Sequence, residues 1–400
     1  MIAFIEKKDP SLCCGCGACV SICTHNALSF HINDEGYKEP VLNEKACVNC
    51  NLCDKVCPIM NADKVQKAPQ LVYAAINKKL EILKSSSSGG AFSVIAEYVL
   101  ENEGVVYGAA FDKSMTLKHI RITQPVELNK LRGSKYLQSD TEGIFKMAKE
   151  DLRNGKMVYF TGVPCQVAGL KLFLRKDYNN LFTTDIVCHG VPSQKIFDVF
   201  INHFREKRNV KITNYKFRDK RVNGWSCSSS SSCKKNGSDR IFEVYFDKTL
   251  NAYMNAFLSG SIDRESCYKC PFAKNERVGD ITLADYWGVK KFHPEINCKL
   301  GVSLTIVNTD SGKEMFCKLK DHFSLVQSQL EWAASENPNL VHPTPRPKDR
   351  SNVFEYAFEN PDEFIKRYTD KQHIRKSIKF ALKRFVKSNP WLYRLLVKFK

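Results

Sequence analysis

The stretch Cys13-Cys14-Gly15-Cys16-Gly17-Ala18-Cys19-Val20-Ser21-Ile22-Cys23 decides the fold at the start of this 400-residue chain. Its cysteine spacing recurs as Cys47-x-x-Cys50-x-x-Cys53-x-x-x-Cys57, followed directly by Pro58. A 4Fe–4S cubane takes four thiolates, three of which one tight loop can deliver, while the fourth cysteine of each run reaches the partner cluster. The doubled run therefore predicts two 4Fe–4S clusters.

This crossed pairing assigns four cysteines to each cluster. Cluster 1 takes Cys13, Cys16, Cys19 and Cys57, and cluster 2 takes Cys47, Cys50, Cys53 and Cys23. Cys14 stands beside a ligand, and we interpret it as a non-ligand. At these residues the sequence resembles the bacterial-type two-cluster ferredoxins, with one departure, because Thr24 and not proline follows Cys23.

A zinc site and a disulfide framework are the alternatives. Zinc takes four ligands in two pairs that a longer gap separates, which two triply repeated runs do not match. Seventeen cysteines would favour disulfides in a secreted chain, but residues 1–8 contain no apolar core long enough for a signal peptide. There is also no apolar run of about 18 residues that would span a membrane. We therefore expect a cytoplasmic protein with free thiols and clusters.

The net charge of +18 is concentrated at the C-terminus. Residues 366–400 hold twelve Lys and Arg against one acid, which leaves only +7 for the first 365 residues. No recognition helix or aromatic stacking motif accompanies the charge, so we expect no nucleic-acid partner. Within 371–400, apolar residues recur at helical spacing among the cations, as in a basic amphipathic helix. Such a helix either makes peripheral contact with the inner face of a membrane or with a partner, or packs against the body.

After a polar linker at 60–70, strand-like and helical patterns alternate. Strands are predicted at 71–76, 105–111, 157–160 and 182–187, and helices at 91–100, 144–153, 166–174 and 194–207. This alternation favours an α/β fold, with α+β elements, whose mainly parallel sheet is covered by helices. Further strands at 212–217, 226–232 and 241–246 predict an antiparallel extension.

The resulting domain prediction has four parts. They are a two-cluster ferredoxin-type domain at 1–62, an α/β domain at 70–330, an irregular connecting segment at 331–370 and the basic C-terminal tail at 371–400.

A second candidate site is the run Ser85-Ser86-Ser87-Ser88-Gly89-Gly90, which directly precedes a predicted helix. Serine hydroxyls and glycine-freed backbone N–H groups at a helix N-terminus can cradle a phosphate. A Gly-Gly turn occurs in many loops, so the alternative is an ordinary turn.

Four cysteines of the body predict a third 4Fe–4S cluster: Cys165, Cys188, Cys267 and Cys270. Cys165 and Cys188 follow predicted strands and precede helices, at the sheet edge where ligand sites of open α/β sheets collect. The alternatives are buried small side chains for Cys165 and Cys188, and a zinc knuckle or redox dithiol for Cys267 and Cys270. His189 is a candidate proton donor, although such a histidine often bonds only the backbone of its turn.

Six further motifs accompany the doubled run in order: Ser87-Ser88-Gly89-Gly90, Gly133-Ser134-Lys135-Tyr136, Pro164-Cys165-Gln166, Cys188-His189-Gly190, Cys267-x-x-Cys270-Pro271 and Gly279-Asp280-Ile281-Thr282. Together they resemble the family of beta subunits of coenzyme F420 hydrogenases and dehydrogenases, over residues 10–307. The resemblance implies an α/β domain that binds FAD and passes electrons between iron–sulfur clusters, the flavin and a two-electron acceptor. It implies that Ser87, Ser88, Gly89 and Gly90 hold the flavin pyrophosphate and that Lys135 adds a positive charge nearby.

The expected function is thus that of an iron–sulfur flavoprotein oxidoreductase that takes electrons from a low-potential donor. A ferredoxin-like protein is the expected electron partner. The alternative is a non-catalytic electron-transfer subunit that docks on a separate oxidoreductase, and the sequence leaves both open. The substrate and the direction of electron flow are equally open.

Overall fold

The computed structural model describes residues 10–246 and 251–369. The predicted basic tail at 371–400 lies outside the described residues. Among the helices of the described ranges, none has the length and apolar character needed to cross a membrane.

The strands, in chain order, are β1 (Leu28–Ile32), β2 (Lys38–Leu42), β3 (Leu71–Asn77), β4 (Val105–Phe111), β5 (Leu117–Ile122), β6 (Val158–Thr161), β7 (Leu181–Ile186), β8 (Val210–Lys216), β9 (Ser229–Lys235), β10 (Ile241–Phe246), β11 (Ile281–Asp285), β12 (Ser303–Val307) and β13 (Phe323–Ser328). The helices are α1 (Ala18–Ile22), α2 (Leu52–Lys55), α3 (Leu80–Ser85), α4 (Ala91–Glu101), α5 (Leu128–Leu131), α6 (Ile144–Arg153), α7 (Pro164–Leu174), α8 (Gln194–Arg208), α9 (Lys220–Asn223), α10 (Ala252–Leu258), α11 (Val289–Phe292), α12 (Asp310–Leu319), α13 (Leu330–Ala334), α14 (Arg350–Glu359) and α15 (Pro361–Tyr368).

The main sheet has the strand order β13-β3-β12-β11-β7-β6-β4-β5. Its central strands β11, β7, β6 and β4 pair in parallel, whereas the pairs outside them are antiparallel. Strands β8, β9 and β10 form a separate antiparallel sheet, and β1 pairs with β2 in a hairpin. The predicted α/β fold with parallel strands and an antiparallel extension is confirmed, and the parallel pairing is confined to the centre of the sheet.

Helices cover both faces of this sheet, as parallel strands require. Along β4, Val105 and Tyr107 pack into one buried cluster, whereas Val106 and Ala110 pack into another, because side chains alternate between faces of a strand. Helices α6 and α7 supply apolar side chains of the first cluster, and α4 and α12 supply those of the second. This packing fixes the strand ends after β6 and β7, where Cys165 and Cys188 follow.

Residues 10–62, here called the ferredoxin unit, show the same backbone twice. Gly15 and Gly17 in the first cysteine run have φ of 64° and 79°, and Asn49 and Asn51 have φ of 55° and 57° at the matching positions of the second. Glycine adopts this left-handed conformation freely and asparagine tolerates it better than most residues. Each loop then continues into a short helix, α1 or α2. The repeated spacing therefore produces a repeated loop.

The turn between β1 and β2 anchors the ferredoxin unit on the body. The buried Tyr37 hydroxyl donates to the carbonyl oxygens of Val191 at 3.1 Å and Ile262 at 3.0 Å. Ser193 Oγ donates to the Glu35 carbonyl oxygen at 2.6 Å. Val191 lies three residues after Cys188, so the hairpin docks beside the body cysteines.

The expectation of an irregular segment at 331–370 is wrong, because α13, α14 and α15 lie within it or begin just before it. Val353, Phe354, Ala357 and Phe364 are buried in a cluster shared with α8 and α10. Their spacing places them on one side of two short helices. Pro361 starts α15 and interrupts the apolar pattern between α14 and α15. Each helix alone has too few apolar residues for its periodicity to predict a helix.

Candidate functional site

Two cavities in the ferredoxin unit collect the cysteines of the doubled run, and they enclose about 460 and 400 Å³ including their openings to solvent. The first cavity is lined by all four cysteines predicted for cluster 1, together with Cys14 and Cys53: Cys13, Cys16, Cys19 and Cys57. The second is lined by the four predicted for cluster 2: Cys23, Cys47, Cys50 and Cys53. The crossed exchange of the fourth cysteine thus matches the fold, while ligation itself stays a prediction.

The surroundings of these thiols suit iron–sulfur clusters. The Gly15 N–H donates to Cys13 Sγ at 3.4 Å, and such N–H···S contacts tune a cluster's potential. Burial raises the pKa of Cys57 to about 12 and that of Cys53 to about 11, so these thiols stay protonated near neutral pH unless a bound metal displaces their protons. Within residues 10–246 and 251–369, no three His, Cys, Asp or Glu side chains are arranged to hold a single metal ion.

The four cysteines predicted for a third cluster, here called the body cysteine group, come together at the sheet edge. A hydrogen bond with Cys14 and burial raise the pKa of Cys165, and the nearby Cys270 and Cys188 thiols add to the rise. Burial raises the pKa of Cys267, which also responds to Cys188 and Cys270. The four thiols therefore influence one another, and their ligation of a third cluster stays a prediction.

A buried ion pair holds the two halves of this group together. Arg277 is 1% exposed and donates to the carbonyl oxygens of Ile186 and Phe272, each at 3.0 Å. Ile186 ends the strand that leads to Cys188, and Phe272 follows Cys270 by two residues. The guanidinium also lies 3.5 Å from the Asp185 carboxylate, which is fully buried.

His189 faces a second buried carboxylate beside the group. Its Nδ1 lies 3.4 Å from Asp263 Oδ2, and neither Asp263 oxygen accepts a hydrogen bond of ordinary geometry from the described residues. Burial raises the pKa of Asp263, and the His189 contact opposes the rise. Gly190 has φ of 151°, and a Cβ there would lie 2.2 Å from Asp263 Oδ2. The role of His189 as a proton donor stays a prediction.

The predicted phosphate loop precedes α4. Gly90 adopts φ of 84° at the position that caps this helix and has no side chain with which to cap it. The first-turn N–H groups of α4 are therefore left to another acceptor, as at anion sites. Gly89 is required for a different reason, namely close packing of the backbone. A Cβ there would lie 2.2 Å from the Ala75 carbonyl oxygen and 2.4 Å from Ser303 N. One of the two glycines thus serves backbone packing.

The loop serines are tied to neighbouring segments. Ser88 Oγ donates to the Val302 carbonyl oxygen at 2.7 Å, and Ser87 Oγ accepts from the Ser134 N–H at 2.7 Å. The second bond joins the loop to the Gly133–Tyr136 motif, so two motifs far apart in sequence form one surface.

Two lysines flank that surface. Lys135 Nζ donates to the carbonyl oxygens of Leu131 and Arg132 at 2.8 and 3.0 Å, at the end of α5. Lys220 Nζ donates to Leu83 and Ser88 carbonyl oxygens at 2.8 and 2.7 Å. Burial lowers the pKa of each lysine to about 7. A bound anion nearby would raise both pKa values, and the phosphate site at the loop stays a prediction.

An aromatic pair and a carboxylate lie on the same side. Trp225 and Trp287 stack with ring centroids 4.5 Å apart, and Asp285 accepts from Trp225 Nε1 at 2.6 Å. Asp285 also pairs with Arg218 at 2.8 Å, and Arg218 donates to the Tyr136 hydroxyl. The segment at 279–288, which begins with the Gly279–Thr282 motif, therefore anchors the arginine beside the Lys135 loop.

Sequence motifs did not identify several residues of these sites. Lys220, Arg218 and Asp263 lie outside any motif, and their partners are distant along the chain. Asp263 and Arg264 precede Cys267 closely, and charged residues beside a cysteine motif were the signal that could have marked them.

Comparisons with known protein families agree with this geometry. Residues 12–61 match a 4Fe–4S dicluster domain. Residues 72–146 match the N-terminal part of the coenzyme F420 hydrogenase/dehydrogenase beta subunit, and residues 155–331 match its C-terminal part. The gap between the two beta-subunit matches, residues 147–154, falls within α6 and the residue that follows it.

Two curated relatives are similar over part of the chain. The coenzyme F420-dependent sulfite reductase of Methanocaldococcus jannaschii is 27% identical over 47% of this chain and 29% of its own length. A subunit of the F(420)H(2) dehydrogenase of Methanosarcina mazei is 22% identical over 54% of this chain and 65% of its own. The matched region thus spans less than two thirds of either relative.

A solved structure of the F420-reducing NiFe hydrogenase complex from Methanosarcina barkeri contains a similar chain. It aligns with a TM-score of 0.43 and 17% identity, over 74% of this chain and 94% of that one.

The dicluster match and the thiol-lined cavities define an iron–sulfur protein. The chain belongs to the family of coenzyme F420 hydrogenase/dehydrogenase beta subunits.

Proposed function

We propose that this protein is an iron–sulfur flavoprotein oxidoreductase that carries electrons between a low-potential one-electron partner and a two-electron acceptor. Clusters supply one-electron transfer and a flavin supplies the exchange between one- and two-electron chemistry. The cluster ligands would be the three cysteine sets described above. The flavin phosphates would lie at the Ser87–Gly90 loop, near Lys135 and Lys220.

One observation carries the proposal, namely a continuous series of thiols from the surface to the sheet edge. Cys50 is exposed in the second cavity, and Cys53 lines both cavities. Cys14 and Cys16 belong to a buried cluster against which Cys165 packs. The partly exposed end of this series, where Val48 is 56% exposed, is the side on which we expect the electron partner to dock.

The inner end of the series leads toward the phosphate loop. The His189 ring lies 4.8 Å from the Phe257 ring, which stacks on Tyr136 at 4.9 Å. Tyr136 directly follows Lys135. The packed rings of His189, Phe257 and Tyr136 therefore link the body cysteine group to the segment beside the loop.

Anaerobic purification followed by iron and flavin assays tests the proposal. We expect about twelve irons and one flavin per chain. Cys188→Ser should lose about four irons, whereas Cys317→Ser, at an exposed cysteine outside every set, should lose none. About eight irons without flavin in the wild-type protein would contradict both the third cluster and the flavin.

A second candidate is an electron-transfer subunit without a substrate of its own. The Methanosarcina mazei relative favours it, since that protein is named as one subunit of a dehydrogenase. Pull-down of a stable oxidoreductase partner would support this function, and turnover of a small substrate by the isolated chain would exclude it.

A further inference from the structure

Arg264 is a buried cation whose partners are almost all neutral. Its side chain is 4% exposed. It donates from Nε to the Cys13 carbonyl oxygen at 2.6 Å, from Nη1 to Gln138 Oε1 at 3.1 Å and from Nη2 to the Lys38 carbonyl oxygen at 3.1 Å. The nearest carboxylate is that of Glu39, at 4.0 Å. Its hydrogen bonds are therefore satisfied while its charge is poorly compensated.

The other buried arginines of the described ranges have closer carboxylates. Arg218 lies 2.8 Å from Asp285, Arg350 donates to Glu35 at 2.7 Å, and Arg277 lies 3.5 Å from Asp185. Burying a charge without a close partner is costly, so a guanidinium whose nearest carboxylate lies 4.0 Å away favours another negative group nearby.

The doubled cysteine run shows that the fold makes room for this guanidinium. A Cβ on Gly15 would lie 2.7 Å from Arg264 Nη1, so any side chain there would displace the arginine. The matching position of the second run is Asn49, which has a side chain. The two loops share one backbone conformation, yet only the first leaves space for a cation against the residues that line the first cavity.

We propose that Arg264 is the counter-charge of the first cluster and raises its reduction potential above that of the second. A thiolate-ligated cluster is anionic, and reduction adds one more negative charge. A fixed cation beside it therefore stabilises the reduced form more than the oxidised form. Electrons entering at the exposed second cavity would then favour the first cluster, next to the body cysteine group.

This inference rests on the proposed function only in that the first cavity must hold its cluster. The backbone of Arg264 also belongs to the body: its N–H donates to the Val191 carbonyl oxygen at 3.0 Å. Arg264 therefore contacts the Cys13 loop through its side chain and the segment after Cys188 through its backbone.

The test is a redox titration of the full chain, purified anaerobically and followed by electron paramagnetic resonance. Arg264→Met should lower one of the ferredoxin-unit potentials so that the reduced-to-oxidised ratio falls at least tenfold at the wild-type midpoint, about 59 mV. Arg264→Lys, which keeps the charge, should restore most of that shift. Glu39→Gln, which removes a negative charge, should move the same potential in the opposite direction.

Lys55→Met is the matched control, because it removes a positive charge of the ferredoxin unit that is exposed and screened. An unchanged potential in Arg264→Met, or an equal downward shift in Arg264→Lys, would overturn the inference. If Arg264→Met fails to assemble its cluster, Glu39→Gln decides by the sign of its shift. Absence of reducible clusters in the wild-type protein would instead contradict the proposed function.

Discussion

Replacing Arg277 by methionine should separate the two halves of the body cysteine group. The substitution keeps an unbranched apolar stem of similar length and removes the guanidinium. It leaves the buried carbonyl oxygens of Ile186 and Phe272 without their donor and leaves the Asp185 carboxylate without its cation.

The cost follows from these contacts. Removing one partner of a buried ion pair lowers the free energy of unfolding by about 3–5 kcal/mol. Asp185 keeps the N–H donors of Val278 at 3.0 Å and Gly279 at 3.2 Å, which places the loss near the lower end of this range. For a chain of this length, a loss of about 3–4 kcal/mol corresponds to a midpoint of thermal unfolding roughly 4–5 °C lower.

Thermal unfolding at a fixed scan rate, under anaerobic conditions, measures the loss of stability. Iron content measures whether the body cysteine group still holds its cluster. We expect Arg277→Met to lose about four irons while the ferredoxin unit keeps about eight. Lys274→Met is the control from the same loop, since Lys274 forms only a solvent-exposed contact with Asp63 at 3.3 Å. Full iron content and a midpoint within about 1 °C of wild type would refute the reasoning.

Three further predictions follow from the described contacts. Gly190→Ala should disturb the same cysteine group, because its Cβ would collide with Asp263 at 2.2 Å; a lower iron content with an intact ferredoxin-unit signal would show it. His119 has its pKa lowered by burial to about 4 from 6.5, so it destabilises the fold as pH falls from about 6.5 to 4, by up to about 3 kcal/mol. Unfolding midpoints of His119→Gln should depend less on pH across that window, and an unchanged slope would count against this assignment. Gly36→Ala should loosen the docked hairpin, since a Cβ there would lie 2.3 Å from Lys195 Cβ; limited proteolysis should then release the ferredoxin unit faster than in wild type.

Much of the fold was accessible from the sequence because its signals are local. The strand predicted at 105–111 coincides with β4 (Val105–Phe111), and the helix at 144–153 with α6 (Ile144–Arg153). Alternating and helical periodicity depend on neighbours within one element, so they survive without tertiary context. The helices at 350–368 were missed because each is short and contributes only a few apolar residues to a distant core.

The cysteine sets likewise differ in whether their arrangement depends on local or on distant residues. Spacing within a dozen residues shapes each cluster loop, and the left-handed residues Gly15, Gly17, Asn49 and Asn51 repeat that shape. The pairing of Cys165 and Cys188 with the Cys267–Cys270 loop had a weaker basis, since it depends on β7 and β11 lying side by side.

By itself, then, the sequence determined the two cysteine loops, the strand and helix pattern and the family to which the chain belongs. Only the tertiary structure decided what surrounds the thiols: Arg264 against the Cys13 loop, Arg277 between two strand ends, and Lys220 under the serine loop. Local backbone geometry is encoded by adjacent residues. A buried charge, in contrast, finds its partners wherever packing brings distant segments together, and no periodicity records that position.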